Sequence, residues 1–220
     1  AFLDPQYNVL GGAYLDVNYI VVDAWDDITI TGNVTLLPET TLEIRADTVE
    51  VTYEGGYSYY IWDTTYSQGS GAILNPNDYL ISMGDDSYLY LRAGAGFGRL
   101  DHRLLVSGNN LSLDAQVLNG DMFFDIVQPY AVDGNGQTYS SLRISSITAP
   151  DGLVAIWSEG PVESYYYGGE GRAIYCDELY LEAAGGIGAG EGPMPVSVNN
   201  LTVLNSGTGW ISIVNDKDLT

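Results

Sequence analysis

The sequence predicts an all-β fold, a β-solenoid of parallel strands, on three observations: short alternating apolar and polar runs along the whole chain, turn formers between them, and a segment that repeats at a fixed offset. No stretch keeps a 3.6-residue apolar period, and helix formers are scarce beside Gly, Thr, Asn, Tyr and Val.

In chain order, Ile28-Thr29-Ile30-Thr31, Leu42-Glu43-Ile44 and Val49-Glu50-Val51-Thr52 place β-branched or aliphatic side chains on one face and polar ones on the other. Tyr88-Leu89-Tyr90-Leu91, Leu111-Ser112-Leu113, Leu142-Arg143-Ile144, Leu179-Tyr180-Leu181-Glu182, Leu201-Thr202-Val203 and Ile211-Ser212-Ile213 follow the same rule. Turns are expected at Thr31-Gly32-Asn33, Pro38-Glu39, Gly84-Asp85, Asn109-Asn110, Asn119-Gly120, Asp133-Gly134-Asn135-Gly136, Pro150-Asp151-Gly152 and Asn205-Ser206-Gly207.

The repeat selects among all-β folds. Tyr90-Leu91-Arg92-Ala93-Gly94-Ala95-Gly96-Phe97-Gly98 reappears as Tyr180-Leu181-Glu182-Ala183-Ala184-Gly185-Gly186-Ile187-Gly188, an offset of 90 residues, and Asn109-Asn110-Leu111 meets Asn199-Asn200-Leu201 at the same offset. One copy lies near 61–128 and the other near 156–215. A unit this long with this many strands suits several stacked coils rather than one propeller blade. The Asn pairs sit where coil corners are expected, and an amide ladder would satisfy them there. The same positions spell glycosylation sequons at Asn33, Asn110 and Asn200, a pattern that corner asparagines before a strand also produce.

Composition bounds the function. Of 220 residues, 29 are acidic and 7 basic, a net charge of −22, which disfavours phosphate backbones and anionic headgroups and so argues against nucleic-acid binding and membrane attachment. Cys176 is the single cysteine, so no intrachain disulfide or cysteine metal cluster can form, and free cysteine of this kind is expected to be buried. His102 is the single histidine, which removes multi-histidine metal sites. The sequence begins without Met or a basic, apolar leader, and it reads as one solenoid segment of a longer chain spanning 1–220.

The segments Asp27-Ile28-Thr29-Ile30-Thr31-Gly32-Asn33-Val34, Leu181-Glu182-Ala183-Ala184-Gly185-Gly186-Ile187-Gly188 with Pro193-Met194-Pro195-Val196-Ser197-Val198, and Ser206-Gly207-Thr208-Gly209-Trp210-Ile211-Ser212-Ile213 resemble coils of large bacterial exoproteins similar to filamentous haemagglutinin. The resemblance is best over 85–128 and 177–215 and implies a right-handed parallel β-helix with Tyr/Gly-rich inserted loops. It also implies a secreted or cell-surface adhesin that is not an enzyme. The expected function is a structural, adhesive segment, with surface glycans or proteins as partners and end-to-end self-association into filaments. A polysaccharide-degrading β-helix enzyme and a carbohydrate-binding β-sandwich module are the alternatives.

Tyr57, Tyr59, Tyr60, Trp62 and Tyr66, with Tyr165, Tyr166 and Tyr167, are the candidate binding aromatics, because tyrosine and tryptophan give rigid contact area to sugars or partner chains. Asp23, Asp26, Asp27, Asp85 and Asp86 cluster near turns and make calcium the candidate cation, with no other cofactor expected. Asp133-Gly134-Asn135-Gly136 opens like a calcium loop, but Ile144 stands at the twelfth position, so it reads as a turn. Arg99, Asp101, His102 and Arg103 form the one set resembling catalytic machinery. The second copy has Ala189, Glu191, Gly192 and Pro193 there, so the set reads as an exposed polar loop.

Overall fold

The computed structural model describes residues 18–46, 70–128, 141–164, 171–188 and 192–219, together with the backbone of 48–52 and 58–62. Among the described residues there is no helix, and 17 strands form one parallel sheet curled as a half-barrel. A β-sandwich would be antiparallel. The hairpin Thr48–Thr52 with Ser58–Trp62 forms a separate two-stranded antiparallel sheet.

Each ladder grows because the chain keeps returning to it. Tyr19–Ala24 pairs with Thr41–Ala46, then come Tyr88–Ala93 and Leu111–Val117. A second ladder runs Ile28–Thr29, Ala72–Leu74, Gly96–Phe97 and the start of Asp121–Val127. A third runs Val34–Thr35, Leu80–Ser82, Leu104–Ser107 and the end of that same strand. Asp121–Val127 therefore fuses the second and third ladders, which continue as one through Leu142–Ser158, Ile174–Ala183 and Asn200–Asn205. The first ladder meanwhile divides. Leu142 pairs with Val162, which bridges to Ile187 and on to Ile211, whereas Ile147 pairs with Ile174 and Ile174 with Val196.

The 90-residue repeat consequently recurs on different ladders. Tyr90 lies beside Glu43 and Asp114, but Tyr180 lies beside Ala155 and Thr202. In both copies a long strand, a short contact and a medium strand follow one another, displaced around the sheet.

Period-two alternation fills the inside of the curl. Leu89, Leu91 and Ala93 point inward with Ile44, Leu113, Ala115, Ile144 and Ile174, all buried, while Tyr88, Tyr90 and Arg92 point outward. Each fully buried aliphatic or aromatic side chain contributes roughly 1.5–3 kcal/mol relative to exposure. Phe97 and Phe124 meet within this core at 6.0 Å between ring centroids.

The corners depart from the amide-ladder expectation. Asn109 donates its side-chain amide to Asp85 at 2.9 Å, and Asn199 donates to Asp177 at 2.6 Å. Each asparagine thus reaches an acid on the preceding pass, 24 and 22 residues earlier, and both members of the sequence repeat make this bond. A carboxylate is the stronger acceptor, which explains the choice of partner. Pro150-Asp151-Gly152 is not a chain reversal either. The strand Leu142–Ser158 runs through it, and the ladder register shifts between Ala149 and Leu153, so the turn formers make an irregularity that carries the chain from one ladder to the next.

Cys176 is fully buried, and burial pushes its thiol from 9.0 up to about 12. The folded state therefore holds its proton across a range where the unfolded chain has lost it, so this group's contribution to stability is complete below 9.0 and disappears as the pH rises toward about 12. At pH 8 a disulfide-exchange reagent is expected to leave Cys176 unmodified in the native protein and to titrate it fully in denaturant. Prompt labelling without denaturant would contradict the burial.

Candidate functional site

Parallel registry places residues of distant sequence position side by side on the outer face of the fused ladder. Leu105 pairs with Asp125, Asp125 with Trp157, Trp157 with Glu182 and Glu182 with Leu204. Their neighbours Phe124, Ile156 and Leu181 are buried, so alternation turns the whole row outward. Phe123, Ala155, Tyr180 and Thr202 form the adjacent outward row.

Aromatic and ionic contacts lock the centre of these rows. The Trp157 and Tyr180 rings lie 5.0 Å apart with a 36° tilt. Arg103, just before Leu104–Ser107, lays its guanidinium over the indole at 3.5 Å from the ring centroid and reaches Asp125 Oδ2 at 3.6 Å. The Arg103 carbonyl accepts a hydrogen bond from the buried side-chain amide of Asn75 at 3.1 Å, which anchors the segment that carries the guanidinium. Tyr180 donates its hydroxyl to Glu182 Oε2 at 2.8 Å, and this bond holds the phenol above its usual value. Burial raises the Asp125 carboxyl above its ordinary value, and Arg103 opposes that rise.

Two depressions flank this cluster. One, about 480 Å³, is lined by Asp125, Trp157, Ser158, Glu159, Glu182 and Ser206. The other, about 230 Å³, is lined by Asp78, Leu100, Asp101, Arg103 and Leu105, and Asp125 belongs to both. The surface is rich in acceptors, carries one indole, and has its guanidinium already engaged.

Of the residues singled out in the sequence, Tyr59, Tyr60 and Trp62 lie on the antiparallel hairpin, paired with Val51, Glu50 and Thr48. Tyr57, Tyr66, Tyr165, Tyr166 and Tyr167 lie outside the described residues. The aspartates are spread among separate contacts. Asp23 faces Arg45 at 3.6 Å, Asp27 accepts the Ala72 backbone N–H at 2.8 Å, Asp85 accepts from Asn109, and Asp86 adopts a left-handed φ of 55° at an exposed corner. Asp26 is exposed, and no group of three potential metal ligands occurs among the described residues. In the Arg99–Arg103 loop, His102 Nδ1 lies 3.3 Å from Asp78 Oδ1, and Arg103 turns away to Trp157.

Asp125, Trp157, Tyr180 and Glu182 were legible in the sequence only as strand residues. The available signal was the pairing of an outward aromatic with an outward acid two positions on, in Phe123-Phe124-Asp125 and Tyr180-Leu181-Glu182. Comparison with protein-family models, curated proteins and solved structures finds no match to this chain.

Proposed function

We propose that the chain is a segment of a right-handed parallel β-helix exposed outside the cell, structural and adhesive, in the manner of the exoproteins that its sequence resembles. The carrying observation is the parallel pairing that links the passes from Tyr19–Ala24 to Asn200–Asn205 over one apolar interior, through the division of the first ladder and the register shift between Ala149 and Leu153. Such a stack is stiff because every pass shares its ladder and core with its neighbours. Its outer face is then free to present side chains to a partner.

The last described pass offers an open, apolar-flanked strand edge along the stacking direction, which a further pass of this chain or a second copy can pair with. Trp210 is 81% exposed, Ile211 and Val214 are exposed, and Leu201 and Val203 lie only half-buried at the inward positions of Asn200–Asn205. A strand edge with apolar neighbours is a template for a further strand. Small-angle scattering tests the architecture: an elongated envelope is expected, and a compact, near-spherical one rejects the β-helix. Sedimentation tests the association. Trp210→Asp is expected to shift the wild-type chain's concentration-dependent oligomers toward monomer, and wild-type protein that stays monomeric at all concentrations sinks the end-to-end reading.

A further inference from the structure

We infer that the depression beside Trp157 binds a neutral polysaccharide chain and rejects uronate- and sulfate-bearing chains. This deepens the adhesive reading above by naming its contact surface and ligand class.

Size and form come first. The depression holds about 480 Å³ and is open to solvent, and Asp125 also lines the second depression beside Arg103. Because the depression is open rather than enclosed, a chain lying in it can run on over the surface at either end.

The lining selects the chemistry. Asp125, Glu159 and Glu182 supply carboxylate acceptors, Ser206 supplies a hydroxyl, and Trp157, whose ring carries Arg103, supplies only an apolar edge for sugar C–H groups. Tyr180 donates to Oε2 of Glu182, and this bond fixes the carboxylate's orientation in the wall. Ser158 is spent on Gly160, which it meets through both its donor and its acceptor, so it shapes the wall.

The cluster's own guanidinium decides against a cationic peptide. Arg103 already lies over the indole and beside Asp125, the two groups that an incoming arginine or lysine would seek first. What remains are acceptor lone pairs suited to hydroxyl donors. Arg103, beside the depression, pairs with Asp125, so Glu159 and Glu182 remain as two uncompensated carboxylates on a chain of net charge −22 and repel an anionic sugar.

Titration calorimetry on the full chain with cellohexaose, a chitosan hexamer, a galacturonate hexamer and deca-arginine tests the inference. Cellohexaose is expected to bind. Glu182→Gln, which loses a charged acceptor, is expected to weaken that binding about tenfold. Ser206→Trp, at an exposed position, fills the depression and is expected to abolish binding; circular dichroism verifies that both variants are folded. Binding of the galacturonate hexamer, binding of the chitosan hexamer or deca-arginine without cellohexaose, no binding of any probe, or wild-type affinity in both variants would each overturn the inference. An elongated envelope without sugar binding removes this inference and leaves the β-helix standing, whereas a compact envelope with sugar binding does the reverse.

Discussion

Phe124→Ala is expected to cost about 3–5 kcal/mol of folding stability, read as a lower denaturant midpoint with an unchanged slope. Phe124 is fully buried, packs against Phe97 in a tilted pair at 6.0 Å between centroids, and lies between Leu104 and Ile156 in the ladder. Removing the ring loses its transfer energy and leaves a void. The neighbouring backbones cannot close it, because hydrogen bonds hold them at strand spacing on both sides. Phe123, one residue earlier, points outward and is only half-buried, so Phe123→Ala is expected to cost about 1 kcal/mol. Equal losses at the two positions would mean that the alternation does not define the interior as described.

Gly120→Val is expected to destabilise by at least about 3 kcal/mol, combining backbone strain with a steric clash. Gly120 has φ of 97°, in the region L-residues avoid, and a Cβ there would lie 2.0 Å from the Ala95 carbonyl oxygen on the preceding pass. That oxygen belongs to backbone fixed by the Asn119 to Gly94 hydrogen bond at 2.8 Å, so relief requires two passes to separate. Gly192→Ala is the control. Its φ is 145°, but nothing lies within 4 Å of the added Cβ, so only the conformational cost, about 1 kcal/mol, is expected. Thermal or denaturant unfolding of the two variants separates close approach from φ strain, and a Gly120→Val protein as stable as the control contradicts the packing of this corner.

The two cases show which level of organisation carries which information. Alternation around Phe123-Phe124-Asp125 is local, and so are the turn propensities of Asn119-Gly120 and Asn109-Asn110, so strands and corners could be read along the chain. Pro150-Asp151-Gly152 was misleading because the same residues that reverse a chain also accommodate a register shift inside a strand. The outward row of Asp125, Trp157 and Glu182 could not be read at all. The intervals between its members are unequal, since the connections between passes differ in length, and only paired registry brings the three together.

By itself, then, the sequence determined an all-β chain with an aliphatic interior, a buried lone cysteine and a strongly acidic surface, because side-chain alternation and charge are properties of neighbours along the chain. The tertiary structure alone decided that the corner asparagines bond to aspartates, that the 90-residue repeat recurs on displaced ladders, and that Arg103 covers Trp157 beside Asp125. Those contacts depend on how far the chain travels before it returns to a ladder, a length set by its connections rather than by the strands they join.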